Sequence, residues 1–142
     1  MDKQFATYKQ SLALKELGFD EPCFAAYSED EDNSSLFIYW NDLVNMSELF
    51  ISQDNCEKFD YECLAPTFSQ AFKWFRKEKD LYCEIRTFAW DYDKKELGFS
   101  IRTYLNPIDI ETERLIHSEV YETYEEAESA CIDKLIEIVK NK

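Results

Sequence analysis

The run Leu81-Tyr82-Cys83-Glu84-Ile85-Arg86-Thr87-Phe88-Ala89-Trp90 decides how this chain must be read. Side chains in a strand point alternately to opposite faces. Leu81, Cys83, Ile85 and Thr87 therefore share one face, and Tyr82, Glu84, Arg86 and Phe88 share the other. A polar turn over 91–96 follows, and then a second strand-like run over 97–104. Two such runs joined by a short polar turn predict an antiparallel hairpin. A further strand is expected over 114–121.

Helices are signalled on either side of these strands. Thr7…Gln10, Thr67…Gln70 and Thr123…Glu126 each place Gln or Glu three residues after Thr, ahead of a helix-forming run. In this capping box the Thr hydroxyl accepts from the third amide, and the third side chain reaches back. Beyond the caps the segments diverge, so no repeat is inferred. Helices are expected over 8–17, 68–79 and 124–139, with Gly18 as the stop of the first. Phe68, Ala71, Phe72 and Phe75 form an apolar stripe, and Lys73, Arg76, Lys77 and Lys79 lie opposite. Residues 23–27 and 36–40 read as a hairpin whose tip is Glu29-Asp30-Glu31-Asp32. A short helix is expected over 43–46, and Asn106-Pro107 marks a turn. The order is α-β-β-α-β-β-β-α. It predicts an α+β fold: one antiparallel sheet of about five strands with helices on one face, in a single domain over 1–142. A doubly wound parallel sheet would need more helices between the strands.

Composition narrows the function classes. The 142 residues carry 30 acidic and 16 basic side chains, a net charge of −14. Eleven Phe, nine Tyr and three Trp supply a large core, which excludes disorder. Two glycines exclude a glycine-rich phosphate loop. Direct binding to nucleic acid or an anionic membrane is disfavoured by the charge, which suits a basic partner instead. Cys23, Cys56, Cys63, Cys83 and Cys131 are odd in number and sit mostly in apolar segments. They are expected to be buried free thiols in a reducing, cytoplasmic setting, and residues 1–10 hold no long apolar run that would argue otherwise.

Catalytic and metal signals are absent at the level of spacing. His117, the single histidine, has no nucleophile or carboxylate at a recognisable offset and reads as an ordinary strand residue. The cysteines lack C-x-x-C spacing, so no zinc site is expected. Counted from Asp30, a calcium loop would need Gly at Ser35 and Glu at Asn41, so that match fails. No enzyme activity and no cofactor are expected.

Charge position is the remaining signal. Residues 1–60 hold thirteen acidic and four basic side chains. Glu111, Glu113, Glu119, Glu122, Glu125, Glu126 and Glu128 lie within eighteen residues, opposed only by Arg114. With Glu29, Asp30, Glu31 and Asp32 they are the candidate partner-binding residues. Acids in a first helical turn suit the helix dipole and solubility, and that accounts for part of the pattern. The second reading is a small-ligand or peptide module lined by Tyr39, Trp40, Trp74 and Trp90.

The runs 11–23, 65–76 and 121–142 (Ser-Leu-Ala-Leu-Lys-Glu-Leu-Gly-Phe-Asp-Glu-Pro-Cys; Ala-Pro-Thr-Phe-Ser-Gln-Ala-Phe-Lys-Trp-Phe-Arg; Tyr-Glu-Thr-Tyr-Glu-Glu-Ala-Glu onward to Lys-Asn-Lys) resemble a family of small uncharacterised proteins of bacteriophages and prophages. The resemblance touches the start, middle and end of the chain and carries no catalytic or binding residues with it. It implies a phage accessory protein in the bacterial cytoplasm; separately, a monomer or small homo-oligomer is expected. Such a protein would bind a host protein with a basic surface, such as a nucleic-acid-handling defence factor.

Overall fold

The computed structural model describes residues 2–28, 35–38, 50–58, 60–91, 93–94, 96–105, 115–117 and 119–142. They form an α+β protein in two compact units, Met1–Ala71 and Phe72–Lys142.

In the first unit, α1 (Tyr8–Glu16) starts on its capping box: Gln10 N–H donates to Thr7 Oγ1, and Thr7 N–H donates to Gln10 Oε1. It stops at Gly18, whose φ of +91° suits glycine. Phe19 N–H then reaches back to Leu14 O and Gly18 N–H to Lys15 O, closing the last turn. Three antiparallel strands follow, β1 (Ala25–Ser28), β2 (Ser35–Ile38) and β3 (Tyr61–Leu64), in the order β2-β1-β3. α2 (Gln53–Lys58) precedes β3. Phe5, Ala25, Tyr27, Cys63 and Ala65 make the core, with Tyr8 of α1 set edge-on to Tyr27 at 5.5 Å. The tip 29–32 and the expected helix over 43–46 lie outside the described residues.

The second unit holds the decisive hairpin. β4 (Leu81–Asp91) pairs with β5 (Glu96–Leu105) from Leu81↔Leu105 to Asp91↔Glu96. β6 (Leu115–Ile116) adds to the far edge of β5 at Thr103 and Arg102. α4 (Tyr124–Lys140) lies on one face of this sheet, where Cys83, Ile85, Phe99 and Ile101 meet Ala127 and Cys131. The alternation read from the sequence is the one found: Glu84 and Arg86 are exposed on the opposite face. α3 (Phe68–Lys79) also begins on its capping box. Its Phe72 packs with the Ile101 cluster, and Lys73, Arg76 and Lys77 are exposed.

Three expectations need correction. The described strands form two three-stranded sheets, not one sheet of about five, because β1 pairs with β3 rather than with the later hairpin. The strand expected over 114–121 is described only as Leu115–Ile116 plus a single bridge from Tyr121 to Phe99. The thiols are not all free: Cys83 of β4 and Cys131 of α4 form a disulfide, their Cα atoms 6.3 Å apart. Both residues face the same core, so packing α4 on the sheet brings the sulfurs together.

Candidate functional site

The candidate acidic residues that the structure describes lie at the corner where the chain leaves β5's side and enters α4. Phe99 N–H donates to Tyr121 O at 2.9 Å, and Tyr121 N–H donates to Phe99 O at 2.8 Å. Two residues later Thr123 caps α4 and ends the pairing. Glu119, Glu122, Glu125 and Glu126 are exposed, and Glu128 is half-buried. None of the five forms an ion pair with a described residue. Glu29, Asp30, Glu31, Asp32, Glu111 and Glu113 lie outside the described residues.

The five acids are not equivalent. The Glu126 carboxylate accepts from Thr123 N–H at 3.4 Å and Glu122 N–H at 3.3 Å, while its own N–H donates to Thr123 Oγ1. Glu126 therefore holds the start of α4 in place. The Tyr121 hydroxyl donates to Glu119 Oε2 at 3.1 Å. Burial first, and then the Glu119 carboxylate, push the Tyr121 phenol above its usual value. Burial, and then the neighbouring Glu125, raise Glu128 above the usual carboxylate range. Glu122 and Glu125 make no such structural bond through their side chains among the described residues and are free to meet a partner.

Beside them a cleft of about 460 Å³ is lined by Glu96, Leu97 and Gly98 of β5 and by Val120, Tyr121 and Glu122. Glu96 and Leu97 were not singled out by the sequence, because only the fold brings them to Glu122. Leu97 is 59% exposed and Val120 42%, so the cleft presents apolar surface as well as the Glu96 and Glu122 carboxylates. Gly98 has a packing reason. A Cβ there would stand 3.0 Å from Phe88 Cζ and 3.2 Å from Val120 Cγ1, so the bare backbone lets both side chains close over it.

His117 lies two residues before Glu119, at the edge of this corner. One ring nitrogen, Nε2, lies 2.9 Å from Thr103 Oγ1, and the backbone N–H of His117 donates to Ile101 O. Thr103 is fully buried, so its hydroxyl has no access as a nucleophile. Burial and then Lys134 push the imidazole below its ordinary value of 6.5, while Glu119 and Glu137 pull the other way. The folded protein thus holds this proton more weakly than the unfolded chain. The stabilising effect is complete above about pH 6.5 and declines as pH falls below it. Thermal unfolding from pH 7 to pH 5 should therefore show a smaller decline in midpoint for His117→Gln than for the parent; parallel curves would contradict this.

The other reactive groups are closed off. Cys23, Cys56 and Cys63 are buried free thiols. Desolvation raises all three, Cys63 to about 12, so none is a thiolate near neutral pH. Among the described residues no three His, Cys, Asp or Glu side chains converge as a metal site. Trp74 is 2% exposed and packs edge-on against Phe75, so it lines no groove. Tyr39 and Trp40 lie outside the described residues, as does the side chain of Trp90. No described helix is long and apolar enough to cross a membrane. No family model, curated protein or solved structure matches the chain.

Proposed function

We propose that this chain is a non-enzymatic accessory protein of phage type, which binds a basic host protein through the acidic corner between β5 and α4. The observation that carries this reading is the exposure of Glu119, Glu122 and Glu125 together, unpaired by any described cation, beside a cleft with apolar walls. Unneutralised surface carboxylates repel one another, which costs stability. A basic partner relieves that repulsion, and the exposed Leu97 and Val120 add contact area that water would surrender on binding. A partner that handles nucleic acid suits best, since it already carries a basic groove for phosphates that carboxylates can occupy. The reading places the protein in the bacterial cytoplasm, a reducing compartment in which the Cys83–Cys131 bond would have to withstand glutathione and thioredoxin.

The test is a charge reversal that spares the fold. Glu126 must be left alone, because its carboxylate closes the α4 capping box. Tagged parent protein and the Glu122→Lys/Glu125→Lys variant are used to capture proteins from a bacterial lysate at low salt. The expected result is a basic protein retained by the parent and lost by the variant, with unchanged circular dichroism. Equal retention by both, or nothing retained by the parent, would overturn the reading.

A further inference from the structure

We infer that the open end of β5 accepts an extended basic peptide segment of the partner as an added strand, with its Lys or Arg side chains set between Glu96 and Glu122. This deepens the reading above and rests on it.

The backbone supplies the first argument. On one edge β5 is paired with β4 along its length. On the other edge the last pairing toward Glu96 is Phe99 with Tyr121, because Thr123 N–H turns to the Glu126 carboxylate and the chain enters α4. Amide groups alternate in direction along a strand. Phe99 bonds Tyr121 on this outer edge, and Ile101 O accepts from His117 N–H on it. Leu97 N–H and C=O must therefore point outward to the same edge. No described residue bonds them.

Edges of this kind are normally protected by Lys, Pro or a covering segment. Among the described residues no Lys, Pro or covering segment stands on this edge, which carries Glu96 and the exposed Leu97 and opens on the cleft. Main-chain hydrogen bonds to a free edge, with side-chain pockets alongside, are how sheets take up extended peptides. The side chains then choose the occupant. Glu96 of β5 and Glu122, next to the Tyr121 bridge, line the cleft, and both are exposed. A second copy of this chain would bring the same carboxylates edge to edge on a molecule of net charge −14. A basic segment with small apolar residues between its cations meets both carboxylates and covers Leu97 and Val120.

Fluorescence anisotropy with a labelled peptide of alternating Lys and Val tests this. A twin peptide, N-methylated on alternate backbone amides, keeps the charge and loses the edge donors. The parent protein should bind the first peptide and bind the twin about tenfold more weakly, roughly what one or two lost hydrogen bonds produce. Leu97→Pro removes the outward donor without touching the β4 ladder, and should weaken the first peptide equally while leaving the unfolding midpoint near that of the parent. If Leu97→Pro does not fold, the peptide pair read on the parent protein decides alone. Glu96→Gln/Glu122→Gln should weaken both peptides. Equal binding of the two peptides would overturn the added strand while leaving the acidic corner standing. No binding of either peptide would overturn the added strand too, and the lysate capture then judges the corner separately. A parent dimer in sedimentation that Leu97→Pro dissociates would assign the edge to a second copy and overturn the proposal.

Discussion

Cys83→Ala/Cys131→Ala, or reduction of the parent protein, should lower stability by about 4 kcal/mol. The bond closes a loop spanning 48 residues of sequence and ties β4 to α4. In the chain-entropy view a closed loop of that length restricts the unfolded ensemble by about that amount. For a chain of this size the midpoint of thermal unfolding should drop by more than about 10 °C. The check is a pair of unfolding curves with and without a thiol reductant, alongside the double variant, which should be insensitive to it. Superimposable oxidised and reduced curves would show that the bond carries no stability. The outcome bears on function, because α4 carries Glu125 and Glu126 into the corner.

Phe75→Ala should cost about 3–5 kcal/mol. Phe75 is fully buried in α3 and meets Trp74 edge-on at a centroid distance of 5.1 Å. Truncation removes that contact and leaves a cavity under a helix whose opposite face is exposed. Lys77→Ala is the paired control. Lys77 lies 2.9 Å from Glu78, but both side chains are well exposed, so solvent screening leaves the change within about 0.5 kcal/mol. Urea unfolding of both variants checks the contrast. A Phe75→Ala curve close to that of the parent would mean that α3 is not packed as described.

Much of the fold was legible because its signals are local. A capping box needs only two residues three apart, and those at Thr7, Thr67 and Thr123 all form. The alternation from Leu81 places Cys83 and Ile85 toward α4 and Glu84 and Arg86 away from it. What was missed depends on non-local pairing or on weak local pattern. α2 is six residues with one buried apolar side chain, Cys56, and so shows no helical stripe. β3 is half-buried at Tyr61 and Glu62 and buried at Cys63 and Leu64, which breaks strict alternation. Its pairing of Leu64 with Ala26 is what divides the strands into two sheets, and no short window contains both residues. The disulfide was hidden for the same reason: five cysteines allow many pairs, and only packing α4 on the hairpin selects Cys83 with Cys131.

The candidate site was half legible. Runs of Glu are visible without a structure, so Glu119, Glu122 and Glu125 could be named. The distinction among them could not. Hydrogen bonding shows Glu126 as a cap and Glu119 as the acceptor of the Tyr121 hydroxyl. Glu96 and Leu97 belong to β5 and join the site only through the Phe99–Tyr121 bridge.

The central claim is that unpaired carboxylates at this corner hold a basic partner. It is tested most directly by the affinity of the captured protein for the parent and for Glu122→Lys/Glu125→Lys, measured between about 50 and 200 mM salt. The account expects affinity for the parent to fall by roughly tenfold or more across that range, and the variant to bind weakly at every salt concentration. Affinity that is flat with salt and equal for the two proteins would contradict it.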